Sequence, residues 1–312
     1  MALPGPVPTV TPARRPPRAE TRQVQGGGTG FRKTPLGHVA NVLGWVVLIG
    51  AVLLVLTPVA FMFVASFMPA RDILTMPFSW WPDPIIFENF WHAIKGNDGN
   101  FIFPRALLNS VLVSGTIAAT TVLFSTMAGY GLTKLRFRGA AVVFLFILST
   151  LMIPFETVMI PLYVVITNLG MQNSYAGLIV PFLLSAFGVF LMRQSLLSFP
   201  DELLDAARID GASEPGIFFR IVVPNLWPVM AVLAILTFEG QWDNLIWPLL
   251  VVQSAELKTM PLYVVTFMEE KATNEGAMVA VAAISSIPML IIFFTLSQYF
   301  LRGANVFSAG KE

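Results

Sequence analysis

Residues 205–224 read Asp205-Ala-Ala-Arg-Ile-Asp-Gly-Ala-Ser-Glu-Pro-Gly-Ile-Phe-Phe-Arg-Ile-Val-Val-Pro224. This acidic and basic segment, with a glycine near its middle, separates two long apolar runs, Tyr175 to Leu197 and Ile221 to Leu250. Its local signals are those of a helix, a tight turn and a second helix. Ser198 is placed to cap a helix whose third position is Asp201; Pro200 and Glu202 suit its first turn, and Leu203, Leu204, Ala207 and Arg208 continue it. Gly211 offers a left-handed stop. Ser213, with Glu214 and Pro215 behind it, caps a second short helix that carries Ile217, Phe218 and Ile221 into the next apolar run. The expected element is an elbow lying on one face of a membrane rather than crossing it.

Composition supplies the membrane. Of 312 residues, 55% are hydrophobic and 12% charged, against roughly a quarter charged in a soluble domain. The net charge of +1 carries no signal for nucleic-acid binding, and the absence of cysteine excludes disulfides, thiolate metal sites and cysteine nucleophiles. His38 and His92 are separated by an apolar run long enough to span a bilayer, which argues against a shared metal site. Residues 26–34, GGGTGFRKT, hint at a phosphate loop but fail its pattern: Gly30 is not adjacent to Lys33, and a membrane span follows instead of a soluble helix.

Residues 1 to about 35 are rich in Pro, Arg and Gly and read as a flexible basic tail. Six apolar runs follow: Val39 to about Phe67, Leu107 to Tyr130, Ala140 to Val165, Tyr175 to Leu197, Ile221 to Leu250, and Met278 to Leu301. At about 1.5 Å per residue each can cross a core of about 30 Å, and the first is too long for a signal-peptide core. The expected fold is therefore all-α integral membrane, with six transmembrane helices. Placing the N-terminus inside puts fourteen Lys and Arg in cytoplasmic segments and five outside, which obeys the positive-inside bias. Both termini and the elbow are then cytoplasmic. Trp80, Trp81, Trp91 and Trp247 fall at or near the outer boundary, where amphipathic rings prefer to sit.

Local physics leaves three readings of the elbow. It can rest on lipid headgroups as an amphipathic helix, although Asp201, Glu202, Asp205, Asp210 and Glu214 would be repelled by an anionic leaflet. It can dock on another protein, apolar face in a groove and carboxylates at the rim. It can be a reactive site, for which no base or nucleophile is present.

The spacing Asp205-Ala206-Ala207, three residues, Gly211, nine residues, Ile221, one residue, Val223-Pro224 resembles the EAA loop of ABC-importer permeases, with Asp205 in place of Glu and Val223 in place of Leu. The stretches LLNSV, MIPFETVMIPLYVV, GVFLMRQSLLSFPDELLDAARIDGAS, WDNLIWPL and YFLRGANVFSAGK extend the likeness over roughly Ala106 to the C-terminus. They are similar to the binding-protein-dependent carbohydrate-uptake permeases related to the MalG subunit of the maltose system. That resemblance implies a permease subunit of a sugar importer, paired with a second, MalF-like permease, an ATPase dimer and an external solute-binding protein. It implies that Asp205, Ala206, Ala207, Asp210, Gly211, Ala212 and Phe218 form the coupling contact with the ATPase. It also implies that ATP and magnesium are bound by the ATPase subunits, with no cofactor or metal on this chain. A C-terminal tail inserting between the ATPases would give Gly303 to Lys311 a role; a frayed terminus is the other reading.

Residues 1–35 are thus expected as the basic cytoplasmic tail and 36–312 as the permease domain, with a coupling segment at 198–220 and a C-terminal tail at 302–312. Within the fifth run, Glu239 is about 22 Å from the inner face and Asp243 about 6 Å further out. Ionisable groups at such depth usually face a polar cavity or a partner helix. Glu239, Trp242, Asp243 and Asn244 are candidates for contact with a carbohydrate, or for an external gate or seam with the second permease; Glu156, flanked by Pro154 and Pro161, shares that ambiguity. The aromatic stretch PFSWWPDPIIFENFWHAIKG is an interfacial lid against lipid or part of the landing surface for the binding protein. An ion-gradient-driven secondary transporter is the alternative, but it should show paired inverted repeats, and none is evident. A membrane-embedded enzyme would have only Glu156, Glu239 and Asp243 to work with. The chain is expected to be non-catalytic, a multi-pass protein of a prokaryotic cell membrane.

Overall fold

Breaks within the apolar runs shape the architecture. The computed structural model describes residues 35–308 apart from 97–98, 136 and 270–273, and its regular elements are helices. In chain order these are α1 (Pro35–Ala65), α2 (Ala70–Ile73), α3 (Glu88–Lys95), α4 (Ile102–Lys134), α5 (Ala140–Thr150), α6 (Phe155–Asn168), α7 (Tyr175–Ile179), α8 (Ala186–Leu197), α9 (Asp201–Ile209), α10 (Glu214–Ile217), α11 (Val223–Trp242), α12 (Ile246–Val251), α13 (Met260–Glu269) and α14 (Glu275–Ser308). A 3₁₀ turn, Val180–Phe182, extends α7, and a π turn, Phe218–Val222, joins α10 to α11. The chain divides after Leu56 into two units, and the second holds α2 through α14. The expected N-terminal tail lies outside the described residues, as do Ala309–Glu312 of the expected C-terminal tail; Gly303–Ser308 continue α14.

Four helical stretches are long and apolar enough to cross a membrane: Asn41–Ala65, Ile102–Lys134, Glu214–Trp242 and Glu275–Thr295. The runs expected as the third and fourth transmembrane helices are each broken. α5 and α6 meet at 97°, and α7 with its 3₁₀ turn meets α8 at 40°, so the count reaches six only if each bent pair is one span. The causes are local. Ser149 and Thr150 hydroxyls donate to the carbonyls of Phe146 and Ile147 at 2.7 Å, and Pro154 has no N–H and forces Ile153 out of helical conformation. In the second break Ser185 restarts the helix, its Oγ accepting from the Gly188 N–H at 3.3 Å. The fifth span also differs from expectation. It begins at Glu214, passes through the π turn just before Pro224, and stops at Trp242, with α12 as a separate helix. A proline without an N–H is tolerated where the hydrogen-bond ladder already shifts register.

Around α4 and α11 three buried clusters form. One joins Tyr130 of α4 to Met192 and Leu196 of α8, Leu204 and Ala207 of α9, and Leu226 and Leu233 of α11. A second joins Ala93, Phe103, Trp242, Tyr263, Phe267 and Ala280, and a third joins Val113, Ile117, Ile166, Leu178, Trp247 and Val251. Inside a bilayer apolar side chains gain little by leaving lipid, so close backbone approach and hydrogen bonds carry the packing. Gly188 supplies that approach: a Cβ there would lie 2.5 Å from Ser125 Oγ of α4.

At the end of α4 remote from the elbow, buried amides tie the loops down. Asn109 Nδ2 donates to the carbonyls of Glu256 and Lys258 at 2.8 and 2.9 Å, while its Oδ1 accepts from Tyr175 Oη at 2.7 Å. Asn89 Nδ2 donates in the same way to Ser66 and Met68 carbonyls at 3.0 and 2.8 Å. Trp80, Trp81 and Trp91 are exposed, as befits rings at a boundary. Trp247 is not: it is 1% exposed, and its Nε1–H donates to the Gly177 carbonyl at 3.0 Å. A buried indole needs such a partner.

Candidate functional site

The elbow is built from its anchors outward. Ser198 does not cap α9; it ends α8, its hydroxyl donating to the Ser195 carbonyl at 2.9 Å, and Pro200 takes the cap position of α9. The start of α9 is held instead by Lys134 of α4. Its buried ammonium donates to the Phe199 carbonyl at 2.7 Å and to Asp201 Oδ1 at 2.6 Å. A lysine 8% exposed needs such partners for its N–H donors.

α9 turns Leu204 and Ala207 into the cluster of α4, α8 and α11. It ends in a Schellman motif: the Gly211 N–H donates to the Arg208 carbonyl and the Ala212 N–H to the Ala207 carbonyl, both at 3.0 Å. Gly211 has φ +82° and open space where a Cβ would stand, so backbone conformation rather than crowding calls for glycine. Ser213 then caps α10 as the sequence anticipates, accepting from the Gly216 N–H at 3.4 Å.

A polar staple crosses the turn. Arg208 Nε donates to Glu214 Oε1 at 2.7 Å, Arg208 Nη1 donates to Asp205 Oδ1 at 2.8 Å, and Tyr130 Oη of α4 donates to Glu214 Oε2 at 2.5 Å. The hydrogen bond to Glu214, with a smaller one to Asp205, outweighs desolvation and holds the Arg208 guanidinium above its ordinary pKa. Asp201, Asp205 and Glu214, three of the five acids read as a docking rim, are therefore already engaged within the chain.

The outward face presents Asp205, Ala206, Asp210, Gly211 and Ala212. Ala207 and Phe218 lie in the core and expose almost nothing. Sequence reasoning did not single out Leu203, 50% exposed, and Ile209, 86% exposed, which extend this face with an apolar surface. The signal was there: 206 and 209 stand three apart on the side of the helix away from Leu204, and Leu203 lies at the edge of the buried face, one turn before Ala207. Tyr130 and Lys134 were missed as well, because nothing local ties α4 to the elbow.

The expected solute-facing residues separate. Glu239 and Asp243 are exposed on the last turn of α11, where the Asp243 N–H donates to the Glu239 carbonyl at 3.0 Å. Trp242 between them points the other way: it is 4% exposed, stacked on Phe238 with centroids 5.7 Å apart. Asn244 lies just before α12, its Oδ1 accepting from the Trp247 N–H at 3.3 Å. Glu156 is exposed in the first turn of α6. No hydrogen bond or ion pair among the described residues joins it to the others.

The geometry has counterparts. A family model described as binding-protein-dependent transport system inner membrane component matches residues 121–306. The arabinooligosaccharides transport system permease protein AraQ of Halalkalibacterium halodurans is 34% identical over 278 residues, covering 85% of this chain and 96% of that protein. The sn-glycerol-3-phosphate transport system permease protein UgpE of Brucella abortus is 33% identical over 271 residues, covering 85% and 96%. In fold, the chain matches a crystal structure of a bacterial ABC transporter involved in the import of the acidic polysaccharide alginate, with a TM-score of 0.77 and 21% identity over 86% of this chain and 98% of that one.

Proposed function

This chain belongs to the binding-protein-dependent transport system inner membrane component family, and from that premise we propose that it is one of two permease subunits of an ATP-driven importer for a carbohydrate. It works with a second permease, a pair of ATPase subunits that bind ATP and magnesium, and an external solute-binding protein. It makes and breaks no covalent bond itself. It sits in a prokaryotic cell membrane with both termini and the elbow in the cytoplasm. The ion-gradient alternative has no support among relatives named as permease proteins of transport systems.

One observation carries the coupling part of this reading: the inner face of α9 is locked into α4, α8 and α11, while Leu203, Ile209, Gly211 and Ala212 remain outside. A surface that is rigid behind and apolar in front suits a partner that grips and moves it. α9 follows α8 after three residues and continues through α10 into α11. A displacement of the elbow is thereby delivered to two spans at once. The ATPase drives the change only in so far as it binds the elbow differently in its two nucleotide states.

The test uses the cysteine-free chain. With Ala212→Cys in the assembled transporter, we expect crosslinking to the ATPase that changes with bound nucleotide, and labelling only from the cytoplasmic side. Labelling of the introduced thiol from outside the cell, or no ATPase adduct in an assembly that still transports, would overturn the coupling role.

A further inference from the structure

Arg193 of α8 is a cation without an anion. The helices that meet around it, α4, α5 and α8, contain no Asp or Glu, and it makes no ion pair among the described residues. Its Nε–H is buried and has no acceptor. At its level α4 and α8 all but touch: a Cβ on Gly129 of α4 would lie 3.0 Å from the Arg193 backbone nitrogen. The guanidinium lies instead on the α5 side, over the ring of Phe144, with Cζ 4.0 Å from the centroid. A ring face attracts the charge but has no lone pair to offer the N–H donors.

Depth narrows what can complete it. Arg193 is about 6 Å, one helical turn, from the end of α8 at the elbow. It therefore stands just inside the membrane boundary, where long cationic side chains reach the headgroups of one leaflet. Beside it Val142, Val143, Leu145 and Phe146 of α5 are apolar and exposed, a surface suited to lipid. Thr133 Oγ1 of α4, one turn beyond Gly129 on the same face, is a second buried polar atom with no partner. Two unused donors thus stand along the elbow end of the seam between α4 and α8. Arg138, in the turn that leads into α5, is exposed at that end as well.

We propose that Arg193 holds the phosphate of an anionic phospholipid from the leaflet on the elbow side, with Thr133 as a second donor, and that the bound lipid fastens α5 to α8. On the permease reading this is the cytoplasmic leaflet, a placement that labelling at Ala212→Cys tests separately. A guanidinium gives a phosphate parallel, charge-assisted hydrogen bonds, and it does so with its face on an aromatic ring. A headgroup without an ammonium suits the site best, because Arg138 adds charge of the same sign as Arg193. The lipid also answers a weakness of α5. That helix meets α6 at 97°, so it lacks the continuation of a straight span, and its outward residues have no cover among the described residues.

The experiment uses the assembled transporter, purified in detergent and titrated with phosphatidylglycerol or phosphatidylcholine. Native mass spectrometry counts the bound lipid, and thermal melting reads its effect. We expect the parent to retain phosphatidylglycerol in preference to phosphatidylcholine and to melt at a higher temperature with it present. In Arg193→Gln, assembly with the ATPase should persist while phosphatidylglycerol binds about tenfold more weakly and its effect on Tm disappears. Arg193→Lys should regain part of both. A photoreactive phosphatidylglycerol added to the parent should label peptides of α5 and α8 around positions 144 and 193, which tests the site even where Arg193→Gln fails to assemble. Equal lipid binding and an equal Tm response in the parent and Arg193→Gln would overturn the proposal. So would adducts confined to other helices, which would leave Arg193 to an acid of the second permease. Displacement of the lipid by excess inorganic phosphate would overturn it too, by showing an anion site open to water.

Discussion

Arg208 and Glu214 are joined across the glycine turn, with Arg208 Nε 2.7 Å from Glu214 Oε1, and the same carboxylate holds Tyr130 of α4. The bond fixes the angle between α9 and α10, so a push on one is felt by the other.

Removing either end should loosen the elbow without unfolding the protein. The two side chains are about one-third and two-fifths exposed, at 34% and 43%, so screening limits their coupling to about 0.5–1 kcal/mol in a double-mutant cycle of Arg208→Met and Glu214→Gln. We expect ATP hydrolysis to persist while uptake per ATP falls in each single variant, measured in reconstituted vesicles. The pH dependence follows from the raised pKa of Arg208. A cation whose folded pKa lies above its unfolded value contributes fully below the unfolded value, which for Arg is far above neutrality, and loses that contribution only above it. Titration of Arg208 should therefore take nothing from elbow stability between about pH 6 and 9.

At Gly211 the requirement is a left-handed backbone with room to spare. Gly211→Asn should be the mildest substitution, Gly211→Ala should cost about 1–2 kcal/mol of turn stability, and Gly211→Val more, because Cβ meets its own carbonyl in this conformation. Gly211→Asp should leave the protein in the membrane yet lower coupled uptake. Equal uptake across the series would show that the turn is not strained in the working state.

Gly188 should tolerate nothing larger. A Cβ there would stand 2.5 Å from Ser125 Oγ and 3.1 Å from Ser125 Cβ. Gly188→Ala should destabilise by about 1–3 kcal/mol, and adding Ser125→Ala should recover part of that by removing the nearer atom. Melting of the detergent-solubilised complex reads both.

Trp242 should behave as a core residue. Buried against Phe238 and among Ala93, Phe103, Met260 and Tyr263, it should cost about 3–5 kcal/mol when truncated to Ala, seen as a lower Tm. Asp243→Ala, at an exposed position, should leave Tm almost unchanged. A selective change in solute KM with an unaltered Tm for Trp242→Ala would restore it to the pathway.

Several features are legible in the sequence alone. The glycine turn and the Ser213 cap are written in residues within four positions of one another, because caps and left-handed stops are local hydrogen-bond arrangements. The membrane class follows from composition, and the family from motif spacing. The missed cap at Ser198 shows the limit. Its hydroxyl had two local options, and the grip of Lys134 on Phe199 and Asp201, from 65 and 67 residues away, accompanies the one adopted.

By itself, then, the sequence determined that this is a helical membrane protein with a hinged elbow between two apolar runs, since hydrophobicity, glycine conformation and caps act over short stretches of chain. Tertiary structure alone decided which side chains face outward. Trp242 went to the core while Glu239 and Asp243 stayed exposed, Asn109 became a tie between α4 and the 256–258 loop, and Arg193 came to lie over Phe144 of α5. Those outcomes depend on where distant helices pack, and the spacing of residues along one helix does not specify the partner that will cover each of its faces.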